Sequence, residues 1–227
     1  LPFVRDLGYP VPPFDFTVPG VTSISADVHK YGYAAKGAST VLYRNESYRR
    51  HQFYVQADWC GGIYATPSLA GARTGGSIAA AWAALRFLGR EGYKELARTI
   101  METTRKLIDG VNAIEGLEVL GEPPMSVFAI GSDTINIYAL ADAVHQRRWH
   151  VERQHLPPAL HLMVSPAHAA VADDFLTDLA AAADDVRGLA SEDISQMAAM
   201  YGMMGTMPDR SMAKGMALEI MTQLYRV

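Results

Sequence analysis

A single cysteine, Cys60, is all the thiol the chain contains. One cysteine excludes an intrachain disulfide and a cysteine-rich metal site, and it suits a reducing, cytoplasmic compartment. No run approaches about 20 uninterrupted apolar residues, so no segment reads as a membrane-spanning helix. Basic residues are not in excess either. The 20 Lys and Arg stand against 24 Asp and Glu, and the net charge of −4 argues against a dedicated nucleic-acid binder. An initiator methionine, a basic n-region and a signal-peptide core are also missing. The chain opens Leu1-Pro2-Phe3-Val4-Arg5 and reads as the middle of a longer polypeptide. Apolar side chain is abundant, at 49% of 227 residues, enough for one large core or two small ones.

The stretch around which the rest is organised runs from Thr22 to Gly37. Apolar and β-branched residues lead into Ser25-Ala26-Asp27, followed by His29-Lys30, Tyr31-Gly32-Tyr33 and Lys36. The pattern predicts a strand that delivers a lysine amine into a sheltered pocket. Burial makes the charged amine costly and frees its lone pair for condensation with an aldehyde cofactor. An imidazole beside it can pack on an aromatic ring or move a proton. Asp27 either orients these two side chains or only caps the turn. Tyr31 and Tyr33 flank the site, as hydrogen-bond donors or as packing.

Ahead of this stretch, Pro10, Pro12, Pro13 and Pro19 forbid a helix and predict an extended connector. Behind it, Ser39–Tyr43 predicts a strand paired with the first, and residues 57–76 read as loop. Ser77–Leu88 predicts a buried helix, and 91–113 a second helix with Leu96, Ile100, Leu107 and Val111 at helical spacing. Gly89 and Gly92 mark the hinge between two domains, 1–90 and 91–227. Short apolar runs at 117–120, 127–130 and 159–164, and an alternating stretch at 150–154, are interleaved with helical patterns at 136–147 and 171–186. They predict a small α+β domain with helices on one face of a sheet. The tail is rich in methionine (Met197, Met200, Met203, Met204, Met207, Met212 and Met216), for core packing, an apolar substrate wall or a subunit contact. Arg49, Arg50, Arg147, Arg148 and Arg153 read mostly as a solvated face. Histidines 145, 150, 155, 161 and 168 lack ligand spacing, so no metal is expected. Cys60 reads as structural.

The string Ser-Ile-Ser-Ala-Asp-x-His-Lys-Tyr-Gly-Tyr-Ala-x-Lys-Gly resembles the cofactor-lysine segment of the pyridoxal-phosphate group II decarboxylase superfamily. Within it, the sphingosine-1-phosphate lyases are the most similar. The resemblance continues through Asp58-Trp59-Cys60-Gly61-Gly62-Ile63-Tyr64-Ala65-Thr66-Pro67 and Gly71-Ala72-Arg73-Thr74-Gly75-Gly76, and returns at Tyr201-Gly202-Met203.

It implies an α/β, fold-type I enzyme: the end of the large cofactor domain followed by the C-terminal small α+β domain. It also implies pyridoxal 5′-phosphate held by Lys30, with His29 in the cofactor environment, and a substrate phosphate held by Lys36 and Tyr33. The glycine-rich loop at Thr74 and Gly75 would approach the cofactor phosphate of a neighbouring subunit in a homodimer with composite sites. Many relatives have serine-arginine where this chain has Ala72-Arg73, and Thr74 is the substitute for that hydroxyl. The implied reaction is retro-aldol cleavage of sphingosine 1-phosphate to a fatty aldehyde and phosphoethanolamine. The alternatives are an amino-acid decarboxylase of the same superfamily, or a catalytically incomplete fragment. By the same resemblance, the ring-stacking histidine, the aspartate for the pyridine nitrogen and much of the phosphate cup lie upstream of Leu1.

Overall fold

The structure is a computed structural model that describes residues 1–189, 196–206, 209 and 211–226. These residues form two compact units, Pro2–Glu95 and Leu96–Val227, with Leu1 grouped with the second.

The first unit begins with the short helix α1 (Pro2–Asp6), and the proline-rich connector that follows contains no helix or strand. Strands β1 (Ser23–Ala26) and β2 (Thr40–Tyr43) pair antiparallel, with Ala26 opposite Thr40 and Ser23 opposite Tyr43. The lysine turn lies between them. Helix α2 (Glu46–Arg49) follows, capped by the Asn45 side chain on Tyr48 N–H. The stretch 57–76, expected to be loop, instead contributes to a hairpin of β3 (Tyr54–Trp59) and β4 (Gly62–Thr66), reversed at Cys60-Gly61. Alternating aromatic and β-branched residues here outweigh the glycine pair, which supplies the turn.

Helix α3 (Gly75–Asn112) is broken at Gly89, whose φ of 57° and ψ of −173° are open essentially to glycine. Its first part is not buried as expected: Trp82 is 66% and Phe87 89% exposed. The apolar stripe predicted for 91–113 does face inward, with Ile100, Leu107 and Val111 buried.

In the second unit, β5 (Glu118–Val119), β6 (Val127–Gly131), β7 (Glu152–His155) and β8 (Pro158–Met163) form one antiparallel sheet in the order β5-β6-β8-β7. Helix α4 (Ile137–Gln146) starts where the Asn136 carboxamide accepts from Tyr138 and Ala139 N–H, and α5 is Ala172–Val186. Ile130 and Leu160, paired across the ladder, meet Leu140 and Val144 of α4, Leu179 of α5 and Val111 of α3 in a core whose members are all fully buried. Burying each such side chain contributes about 1.5–3 kcal/mol.

Two expectations need correcting in this unit. Arg153 is not solvated: it pairs with Asp142, both side chains are about one-fifth exposed, and its guanidinium lies 5.3 Å from the Tyr201 ring centroid. Arg147 is likewise three-quarters covered, 2.5 Å from Asp185. In each case a carboxylate on a facing helix supplies the partner, which spacing along one strand or helix does not reveal. Helices α6 (Gln196–Thr206) and α7 (Ser211–Leu224) close the chain. Met200, Met203 and Met212 are exposed, against core packing for these three; Met207, and the side chains of Met197, Met204 and Met216, lie outside the described residues. No described helix is long and apolar enough to cross a membrane.

Candidate active site

The lysine turn is built by backbone hydrogen bonds. Lys30 N–H donates to Asp27 O (3.1 Å), Tyr33 N–H to Lys30 O (3.1 Å) and Ala34 N–H to Val28 O (3.0 Å). Within this loop Gly32 is obligatory, since a Cβ there would overlap the Val28 carbonyl. Tyr33 takes a left-handed φ of 55°, rare for a bulky residue, and the partial desolvation of its phenol pushes it above the ordinary range.

On this frame three expected residues converge. The Lys30 Nζ lies 2.7 Å from Asp27 Oδ2, and His29 Nε2 lies 3.9 Å from the same oxygen. His29 Nδ1 donates to Ala38 O at 3.1 Å, which turns Nε2 toward the Asp27 carboxylate. Asp27 is held below the usual carboxylate range by hydrogen bonds from Lys30 first and Ser39 second. Ser39 Oγ donates to Asp27 Oδ1 at 2.6 Å.

The sheltered lysine expected from the sequence is not what the turn provides. The Lys30 side chain is 66% exposed. Its ion-pair partner is the Asp27 carboxylate three residues earlier. Lys36 and Tyr33 are exposed as well.

Gly37, with φ of 111°, lies against the first turn of α3, close enough that a Cβ would come within 2.5 Å of Ser77 Oγ. The loop carrying Lys36 therefore abuts the N-terminus of α3, where Thr74 and Gly75 precede Ser77. Around Gly71, Gly75 and Gly76 a Cβ would meet nothing, so their backbone is open to an approaching group. Bare amides at the N-terminus of a long helix suit a phosphate, and a reachable primary amine beside an imidazole suits an aldehyde. The donor set fits a cofactor that carries both.

Two residues in this arrangement escape a reading by motif. Ser39 sits one position beyond the Ala26–Thr40 pair, so strand register alone places it opposite Asp27. Tyr93, whose hydroxyl donates to Gly32 O at 2.7 Å, lies 61 residues from its acceptor and leaves no local signal. Cys60 is exposed on the hairpin turn. No group of three or more potential metal ligands is found among the described residues.

Comparison with known proteins agrees with this geometry. Over 221 residues the chain is 46% identical to a sphingosine-1-phosphate lyase of Oryza sativa, covering 97% of this chain and 41% of the relative. It is 44% identical to one from Arabidopsis thaliana, with 99% of this chain and 41% of that relative covered. The chain thus spans about two-fifths of the length of these relatives. The solved sphingosine-1-phosphate lyase of Burkholderia pseudomallei superposes with a TM-score of 0.85 at 40% identity, covering 99% of this chain and 47% of that one. A Lactobacillus brevis glutamate decarboxylase (TM-score 0.62, 21% identity, 78% and 43% covered) shares the fold, that of fold-type I enzymes. The family model for the pyridoxal-dependent decarboxylase conserved domain matches residues 3–130, more than half of the chain. The lysine turn, the open glycine loop and this match agree, and the chain belongs to the pyridoxal-dependent decarboxylase family, whose cofactor is pyridoxal 5′-phosphate.

Proposed function

We propose that the full-length protein bearing this chain is a carbon–carbon lyase that cleaves sphingosine 1-phosphate, or a similar phosphorylated long-chain base, to a fatty aldehyde and phosphoethanolamine. The observation that carries this reading is the match along 97% and 99% of the chain to relatives named sphingosine-1-phosphate lyase.

When bound, the cofactor supplies an electron sink for breaking a bond at the substrate's amine-bearing carbon. The chain's own residues attach, orient and hold. Lys30 anchors the cofactor through its amine, and Asp27 keeps that amine placed until it is used. His29 packs beside the ring or moves a proton. Lys36 and Tyr33 hold the substrate phosphate, and Thr74 and Gly75 receive the cofactor phosphate at the start of α3. Residues 1–90 belong to the end of the large cofactor domain and 91–227 to the small one.

The protein works as a homodimer with composite sites. The exposed Val55, Ile63, Trp82 and Phe87 support this, because so much bare apolar surface calls for a cover in the assembled protein. That cover also supplies the shelter Lys30 lacks here. A cytoplasmic location suits the exposed Cys60.

The test is product analysis with the purified full-length protein. Fatty aldehyde and phosphoethanolamine from sphingosine 1-phosphate, without carbon dioxide from aromatic or acidic amino acids, are expected. Carbon dioxide release with no aldehyde overturns the lyase and leaves a decarboxylase.

A further inference from the structure

Tyr93 is one of the most buried aromatic side chains of the first unit, 7% exposed, yet no motif contains it. It lies on α3 just beyond the Gly89 break. Its ring stacks on Phe3 of α1 at 5.2 Å between centroids and 7° between planes, and Arg90, one turn earlier on α3, pairs with Asp6 of α1. The ring is thereby fixed from one side. From the other side its hydroxyl donates to Gly32 O at 2.7 Å, and the Tyr33 ring lies 6.5 Å away.

The acceptor matters because of where it sits. Gly32 follows Lys30 by two residues and directly precedes the left-handed Tyr33. A bulky residue keeps that conformation only while its surroundings over-determine it. The Val28–Ala34 loop is closed by the Ala34 N–H to Val28 O bond, and the Gly32 carbonyl inside it is the group that Tyr93 ties to α3. With that tie removed, the strained turn has a path to relax, and Lys30 turns with it, away from Asp27 and from the position its amine must hold.

We propose that Tyr93 is a positioning residue: through Gly32 it fixes the lysine turn and sets the direction from which the Lys30 amine meets the cofactor. The inference rests on the assignment of Lys30 as the cofactor lysine. Burial holds the Tyr93 phenol above its ordinary range, so it stays a proton donor throughout the working pH range.

The test uses the full-length holoenzyme and reads the visible absorbance and circular dichroism of the lysine-bound cofactor as a function of pH, beside kcat and KM. Tyr93→Phe is expected to shift the pH midpoint of the band and to lower kcat about ten- to a hundredfold with KM little changed. Phe3→Leu removes the ring stack but keeps the hydroxyl; it is expected to lower thermal stability while leaving the midpoint in place. Replacing Tyr93 by 3-fluorotyrosine keeps the shape and alters only the donor, so a moved midpoint there supports the role even where Tyr93→Phe does not fold. Wild-type midpoints in both Tyr93 variants overturn the inference. Lys30→Ala must abolish the band. A band that survives it overturns the Lys30 assignment itself, and the two failures are told apart.

Discussion

Ser39 Oγ donates to Asp27 Oδ1 at 2.6 Å, and the carboxylate's other oxygen lies 2.7 Å from Lys30 Nζ. One carboxylate thus joins the far strand of the hairpin to the amine on the turn. Its two donors hold Asp27 below the ordinary value of 3.8. A depressed carboxylate stabilises the folded turn above that ordinary value, and its contribution disappears as pH falls through the depressed one. Ser39→Ala removes the second donor and is expected to move the acid loss of the cofactor's circular dichroism toward higher pH. Asp27→Asn, with no carboxylate to titrate, is expected to lose this acid step altogether. A pH titration of both variants in the full-length enzyme checks it.

Lys36 is exposed and follows Lys30 by six residues, on a loop that abuts the start of α3. If it binds the substrate phosphate, Lys36→Ala forfeits a charge-assisted contact of about 1.5–3 kcal/mol. KM for sphingosine 1-phosphate is then expected to rise roughly ten- to a hundredfold. Any turnover of the unphosphorylated base should stay as it was. Steady-state kinetics on the two substrates separate this role from that of a solvated turn lysine, whose loss would leave both unchanged.

Gly37 combines a φ of 111° with a Cβ position 2.5 Å from Ser77 Oγ. Gly37→Ala meets both obstacles and is expected to cost about 1–3 kcal/mol through backbone strain alone. Adding Ser77→Gly removes the collision but not the strain. The double variant should therefore recover part, and only part, of the lost thermal stability and cofactor affinity. Calorimetry and cofactor titration of the two variants measure this.

Much of this arrangement is legible in the sequence because the relevant signals are local. Strands β1 and β2 follow from β-branched runs on either side of a glycine-containing turn, and α3 beyond Gly89 from the spacing of Ile100, Leu107 and Val111. The convergence of Asp27, His29 and Lys30 follows from their lying within three residues of one another on one turn. What stays hidden depends on partners distant in the chain. Lys30 reads as sheltered because the motif implies a pocket, but the walls of that pocket are not local to the motif. Gly61-Gly62 reads as loop although it is only the tip of a hairpin. The Tyr93–Gly32 bond spans 61 residues and has no periodicity to announce it. Arg153 reads as solvated because strand alternation cannot show that Asp142 waits on α4.

That last pair supports a prediction about the second unit. Arg153 lies on the edge strand β7, with Asp142 of α4 on its guanidinium and the Tyr201 ring of α6 beside it. Tyr201 in turn stacks on His155 at 5.2 Å and 13°, and Tyr138 donates to Gln154 O at 2.8 Å, so α4, α6 and β7 meet at one polar-aromatic junction. Inside such a junction the loss of one charge costs more than the loss of both, because the survivor remains partly buried without its counter-charge. Arg153→Leu is expected to lower stability by about 1–3 kcal/mol, the cost of a hydrogen bond to a charged group plus the cation–π contact. Arg153→Leu combined with Asp142→Leu should recover a substantial part of that loss, since the double variant leaves no stranded carboxylate. Urea unfolding of the two single variants and the double variant, followed in the full-length protein by a probe in the second unit, gives the coupling energy directly. Additive losses would mean that the pair contributes only as two solvated charges, and that the aromatic stack alone holds α6 to the sheet.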